Sequence, residues 1–347
     1  MVKIKKIQTL LGKNVDINLL KGVKFIDFKK QNRITKVVAK EFSQAKSKDK
    51  QKTIKCIVCG GKKLKLVTKV LSIEFIQCKN CSHVLRKYSY STTFLKKFWK
   101  KKGDVINVHS HGKQQTYRSN YLSKPKVDKI LEFYKFKKNS NWLDLGCGNG
   151  EFLAQVKKNK INPYGFDLNE NDIRLAKNKR LNVFRTEIKG FAKINEKKLR
   201  LKFDIVSATG YFDVIGEPDY ALKIVNKIMN KNGLLMIDVP NYESVTHEMI
   251  RMFPEESIRH LSAAQRSSFT IKSLKYLLKK NGYKIIFRWI YGLDLYMVMN
   301  YLTLRNKEID NSKIMSVFTK RYNDFQKIFD EEKCSGTLFL IAKKIKG

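Results

Sequence analysis

Three glycines within five residues, Gly146, Gly148 and Gly150, follow an apolar run at 142–145 and precede Glu151-Phe152-Leu153, the start of an amphipathic pattern. Without a Cβ such a turn can take positive φ and let a ligand approach the main chain, as in α/β folds that bind nucleotides. The next apolar run, 163–168, contains a second acid, Asp167, placed where a carboxylate can accept hydrogen bonds from both hydroxyls of a ribose. The loop departs from a dinucleotide fingerprint, because Glu151 stands where its last glycine would be and would repel a pyrophosphate at the helix N-terminus. Asp144, which leads into the turn, suits an ammonium group.

Ribose, ammonium and no phosphate together describe S-adenosylmethionine. The run Trp142-Leu-Asp-Leu-Gly-Cys-Gly-Asn-Gly150 resembles the first motif of class I S-adenosylmethionine-dependent methyltransferases, and Gly165-Phe-Asp167 resembles their second. The resemblance implies that backbone at Gly146, Gly148 and Gly150, with Cys147 and Asn149 between them, surrounds the methionine and ribose portions. It places Asp144 at the ammonium, Asp167 at the ribose diol, Leu168 beside the adenine, and Thr186 or Glu187 near the adenine amino edge. Thr209 closes the cofactor set at the end of the fourth strand. Tyr211-Phe-Asp213-Val214-Ile-Gly-Glu217-Pro218 resembles a stretch that usually reads Glu-His before Asp-Pro; Asp213 and Val214 occupy those two positions, so the histidine is missing. Tyr211 is placed either to touch cofactor or acceptor or to fill the core.

A second group of reactive residues lies earlier. Cys56 and Cys59, then Cys78 and Cys81, form two Cys-x2-Cys pairs separated by eighteen residues. Two thiolates on one tight knuckle give the short bite of tetrahedral zinc–sulfur geometry, and two knuckles complete a closed, structural site. Between them, residues 64–76 alternate as strands do, which predicts a zinc ribbon. Disulfides are disfavoured in a reducing cytosol, and a redox dithiol needs only one pair. His83, just outside the second knuckle, reads as a surface residue, with a replacement metal ligand as the lesser alternative.

Val239-Pro240-Asn241, then Ile258-Arg259-His260-Leu261 followed by Phe269-Thr270, Leu274 and Gly282-Tyr283, resemble a branch in which a zinc ribbon precedes the methyltransferase domain. Its best-known members are sugar C-methyltransferases acting on nucleotide-linked keto-sugars, and the likeness covers about residues 53–290. In that branch a histidine after the fifth strand faces the acceptor, which implies His260 as general base or acceptor-orienting residue, with His109 and His111 as second choices, since imidazole titrates near neutrality; the plain alternative for His260 is a loop histidine capping a helix end. Arg259 stands where the branch usually has Glu, and its further carboxyl-terminal domain has no counterpart in these 347 residues.

The elements needed to hold these residues are legible in outline. Strands are predicted at 142–145, 163–168, 182–187, 203–208, 233–240, 284–290 and 337–342, alternating with helical patterns. That implies an α/β, Rossmann-like seven-stranded methyltransferase sheet with an N-terminal zinc ribbon, ligands sitting at the carboxyl ends of the strands. The predicted organisation is a basic extension at 1–52, a zinc ribbon at 53–95, a connecting or lid segment at 96–125, and the methyltransferase domain at 126–347 with a helical insert at about 293–333. Residues 16–20 suggest a helical turn and 23–28 a short strand. The aromatics of 89–125, Phe94 and Phe98 among them, suit either a lid or a connecting helix packed on the core.

Composition narrows the partners. Hydrophobic content of 42% is sufficient for a sizeable core. No apolar signal region or span-length run is present, so a cytoplasmic protein is expected. The net charge of +41 suggests a polyanion such as RNA, but the basic residues are mostly lysines spread along the chain, as general lysine-rich composition also gives. The leading reading is therefore a methyltransferase for a small-molecule, carbohydrate or nucleotide-sugar acceptor. An RNA methyltransferase holding phosphates with its basic N-terminal region, and a non-catalytic zinc-ribbon binding protein, are the alternatives.

Overall fold

A computed structural model of the chain describes residues 7–13, 28–95, 97–98, 119–135, 139–256, 260–263 and 265–345. His109, His111, Arg259 and the predicted turn at 16–20 lie outside the described residues, as does 23–27 of the predicted strand. In chain order the strands are β1 Gln8–Leu11, β2 Lys50–Lys52, β3 Leu64–Val70, β4 Ile73–Cys78, β5 Val84–Arg86, β6 Tyr88–Tyr90, β7 Asn141–Leu145, β8 Asn162–Asp167, β9 Asn182–Arg185, β10 Phe203–Thr209, β11 Met229–Pro240, β12 Ser267–Ser268, β13 Tyr283–Tyr291 and β14 Thr337–Lys344.

The main sheet runs β1-β13-β14-β11-β10-β7-β8-β9, parallel except for β14, which lies antiparallel between β13 and β11. This is the α/β Rossmann-like methyltransferase fold. Its parallel strands read as near-continuous apolar runs because both faces are covered. Helices Lys124–Leu131, Glu151–Lys158 and Glu170–Asn178 bury Val127, Ile130, Leu153, Val156 and Ala176 on one face. Helices Ile188–Ile194, Pro218–Ile228 and Ile271–Lys280 bury Phe191, Leu222, Val225, Leu274 and Leu277 on the other. Strand order reverses between β7 and β10, and the crevice at their carboxyl ends is where such sheets receive ligands.

The sheet has eight described strands, not the seven expected. Gln8–Leu11 adds to the free edge of β13 in parallel register, from Gln8 opposite Phe287 to Leu11 opposite Ile290. It satisfies main-chain groups that a bare edge would leave to water or to another chain. A four-residue strand in a lysine-rich context carries too little periodicity to be recognised; only the waiting edge of β13 defines it.

The cysteine module forms a second sheet, β12-β5-β4-β3. The β3–β4 hairpin turns at Leu71 and Ser72, both at positive φ as a tight hairpin requires. Its last strand is borrowed: Ser267 and Ser268 pair with Leu85 and Val84 across more than 180 residues of sequence. Helix Phe28–Ser43 packs Val38, Ala39 and Phe42 with Phe75 of this module, so of the described N-terminal residues Gln8–Leu11 lie on the sheet edge and this helix lies against the ribbon. Phe42 also receives Tyr90, Phe94 and Phe98 at 4.7, 5.3 and 4.9 Å between ring centroids.

Between β13 and β14 run helices Asp294–Arg305, Lys313–Lys320 and Tyr322–Glu331. Buried Asp294 ties them to the sheet: it accepts from Thr246 N (3.1 Å), Thr246 Oγ1 (2.6 Å) and Gly336 N (2.8 Å). No helix among the described residues is long and apolar enough to cross a membrane.

Candidate active site and cysteine cluster

Asp144 is the fourth residue of β7, in register with Ser207 of β10 and Gly165 of β8, and it is almost wholly buried. Ser207 Oγ donates to Asp144 Oδ1 at 2.6 Å, while Trp142 Nε1 donates to Ser207 Oγ at 2.8 Å. Burial pushes the Asp144 carboxyl up to about 7, with nearby Asp167 adding to the shift and Ser207 and Lys126 opposing it. A carboxylate at the edge of ionisation is one that an incoming ammonium would hold in its charged form.

The glycine turn follows at once. Gly146 has φ +68°, and a Cβ there would lie 2.9 Å from Tyr211 Cδ2, because the tyrosine ring lies directly over it. Gly148 donates its backbone N–H to Asp167 Oδ2 at 3.0 Å, and Asn169 donates to Asp167 Oδ1 at 2.9 Å. Leu168 follows with 69% of its surface in water, an apolar side chain free to flank a base. Thr186, after β9, donates its N–H to Asp167 O. Glu187 is exposed beside it, close enough that its charge and that of Asp167 add to the burial that raises Tyr211. Thr209 ends β10, exposed and opposite Asp238 of β11. Asp144, Gly146, Gly148, Asp167, Thr186, Glu187 and Tyr211 thus converge on one end of the sheet.

The remaining residues of the turn face inward. Cys147 is buried against Gly165, whose added Cβ would meet its sulfur at 2.9 Å. Asn149 is buried, accepts from Glu151 N at 3.2 Å, and its carbonyl accepts from Lys179 Nζ at 2.7 Å. Gly150 leaves room for Leu181 and Ala176. A ligand would meet these three through backbone atoms. Sequence reading also passed over Lys126, which is ion-paired with Asp238 beside the site, and Ser207. The one polar residue in the apolar centre of β10 was the available signal for Ser207.

Residues 115–286 match the family model described as a methyltransferase domain, just under half the chain. Over that stretch the chain carries a methyltransferase domain. No curated protein matches the chain. Among solved structures, a methyltransferase from Archaeoglobus fulgidus is similar at 19% identity, over 67% of this chain and 100% of its own, with a TM-score of 0.44. One from Listeria monocytogenes is similar at 14% identity over 64% and 98%, TM-score 0.42. The cyclopropane synthase MmaA2 from Mycobacterium tuberculosis is similar at 15% identity over 65% and 85%, TM-score 0.43.

Past the end of β10, Asp213 is buried. Its carbonyl receives the N–H groups of Arg266 and Ser267, and its Oδ2 accepts from Gln265 Nε2 at 3.1 Å. Gln265 Oε1 in turn accepts from Leu261 N at 2.8 Å. These bonds connect the Tyr211 turn to the segment carrying His260. The His260 ring is partly buried and stacks on His247 with centroids 5.2 Å apart and planes 12° from parallel. A cavity of about 440 Å³ opens beyond the carboxyl end of β11, lined by Gln77, Tyr242, Glu243, Ser244, Glu248 and Arg251, among others.

The four cysteines converge as well. Their sulfurs all lie within 4.8 Å of one another, with Cys56 to Cys81 at 3.6 Å and Cys59 to Cys78 at 3.5 Å. Tetrahedral ligation with zinc–sulfur bonds of ~2.3 Å implies sulfur separations of ~3.8 Å, so the set fits a four-coordinate metal. Gly61 N donates to Cys59 Sγ at 3.4 Å, a bond that favours thiolate. His83 corrects the surface reading: it is wholly buried, its ring 4.5 Å from that of Phe269. Neither ring nitrogen has a hydrogen-bond partner among the described residues. Burial and nearby Arg266 hold the ring neutral, down to about 3. Its position is decided by the borrowed strand, which brings Phe269 over it.

Proposed function

We propose that the domain transfers a methyl group from S-adenosylmethionine to a small, hydroxyl-rich acceptor of carbohydrate type, seated beyond β11. The observation that supports this acceptor is the cavity of about 440 Å³ at that end of the sheet. Its volume suits a small molecule, Gln77, Glu243 and Glu248 offer hydrogen bonds to hydroxyls, and Tyr242 offers a ring edge. The cofactor supplies the electrophilic methyl; this chain aligns and protects. Asp144 holds the ammonium, Asp167 exchanges backbone donors for the ribose diol, Leu168 flanks the adenine, and Thr186 or Glu187 meets its amino edge. Tyr211 shields the glycine turn from water. His260 receives the proton that the acceptor atom gives up, or orients that atom. Zinc on Cys56, Cys59, Cys78 and Cys81 would fill all four coordination positions and hold the module's two knuckles together without entering the chemistry.

Calorimetric titration of the full chain with S-adenosylmethionine, repeated on Asp167→Ala, tests the cofactor reading. Losing two hydrogen bonds to a charged group predicts affinity reduced by about a hundredfold. Unchanged binding in the variant would remove Asp167 from the site. Methyl transfer to keto-sugar nucleotides, set against total RNA as acceptor, then separates the proposal from the RNA alternative. Transfer to RNA that weakens steeply with added salt would overturn the carbohydrate reading.

A further inference from the structure

His247 is wholly buried and absent from every motif, yet each part of its ring is used. Nδ1 lies 2.9 Å from Ser244 Oγ, which also caps helix Val245–Met252, and Nε2 lies 3.1 Å from Ser268 Oγ. A neutral imidazole donates with one nitrogen and accepts with the other, so both serines are satisfied. Burial, helped by the charge of Arg251, keeps the ring neutral down to about 3. Tyr242 meets it edge-on at 5.6 Å, and His260 stacks on it almost parallel.

The far anchor of this arrangement belongs to the cysteine module. Ser268 sits in β12, opposite Val84 of β5, which follows Cys81 by three residues, and β12 is continuous with the segment that follows His260. Arg86 strengthens the join, donating from Nη1 to Ala263 O at 2.5 Å and from its backbone N to Arg266 O at 3.1 Å. The described residues from His260 to Gln265 form neither helix nor strand, so their course is set by these outside contacts.

We propose that His247 is a positioning residue for the methyl-transfer site: it ties the module's borrowed strand to the N-terminus of helix Val245–Met252 and gives the His260 imidazole a flat surface on which to stack, beside the Tyr242–Ser244 wall of the acceptor cavity. An uncharged ring is required there, because a second imidazolium would repel His260 whenever it carried the acceptor's proton. The role rests on the reading of His260 as the acceptor-side residue, although the placement itself does not.

The test uses full-length, zinc-loaded protein with isotope-labelled histidine; the five histidines give five imidazole signals, assigned by single replacements. In the native chain the ring current of His247 should displace the His260 signal upfield. His247→Leu should return it to the position of an unstacked imidazole, and Ser268→Ala, which keeps the ring and removes one tether, should broaden or shift it partway. Affinity for S-adenosylmethionine should stay within about twofold in both, as expected for sites sharing no partners. A His260 signal unmoved in both variants overturns the proposal, and so does cofactor affinity lost in parallel, which would mark a general structural role. If His247→Leu does not fold, Ser268→Ala carries the test alone. His260→Gln retaining full methyl transfer would remove the acceptor role of His260 while leaving the spectral result standing.

Discussion

Asp144 ionises against its surroundings, and that gives it opposite effects on stability and on binding. Its folded value of about 7 lies above the 3.8 of an unperturbed carboxyl. Between about pH 4 and 7 the folded chain therefore keeps a proton that the unfolded chain has lost, and this group's contribution to stability falls as pH rises through that window. Cofactor binding runs the other way, because the ammonium needs the carboxylate. Affinity for S-adenosylmethionine should weaken by about tenfold for each pH unit below ~7. Calorimetry from pH 5.5 to 8 should show that slope, and Asp144→Asn should be weaker and flat across the same range. A native profile as flat as the variant's would place the ammonium elsewhere. At the neighbouring turn, Gly146→Ala puts an L-residue at φ +68° under the Tyr211 ring. The backbone cost alone is about 1–2 kcal/mol, with the displaced ring adding to it; denaturant unfolding of Gly146→Ala with and without Tyr211→Ala separates the two.

At the scale of elements, the N-terminal strand is short but placed where it matters. Gly12 N donates to Ile290 O at 2.8 Å, and Gly12 O accepts from Trp289 Nε1 at 2.7 Å. Beyond it Lys13 reaches the Lys126–Asp238 pair, where burial and the charge of Lys126 lower it to about 8. Deleting residues 1–13 should cost roughly 2–3 kcal/mol through the orphaned indole N–H and the uncovered edge of β13. It should also promote association through that edge. Thermal melting and light scattering check both, and an unchanged melting point would make the strand incidental.

Across the whole molecule, Cys56, Cys78 and Cys81 belong to the same buried cluster as Leu143, Phe212 and Leu338. The cysteine module and the main sheet therefore share a core and are expected to unfold as one cooperative unit. Calorimetry of the zinc-loaded chain should give one endotherm, and chelation or Cys81→Ser should lower it by about 10 °C or more, since metal binding free energy becomes folding free energy. Two endotherms, with only the smaller responding to chelator, would show the module to be an independent unit.

The sequence by itself determined what repeats locally: the apolar runs of β7, β8, β10 and β11, the Gly146–Gly150 turn, the acids Asp144 and Asp167, and the two cysteine pairs. Each is written in neighbouring residues, because strand periodicity, positive φ and a tight chelate are short-range requirements. The tertiary structure alone decided what depends on distant partners. Gln8–Leu11 became a strand because β13 left an edge free, and Ser267–Ser268 because β5 did. His83 went inside because Phe269 closed over it. His247, unmarked in its own segment, acquired its place when Ser268 and His260 arrived on either side of its ring. A hydrogen bond or stacking contact made across such distances leaves no pattern in the local order of residues, and only the folded chain contains it.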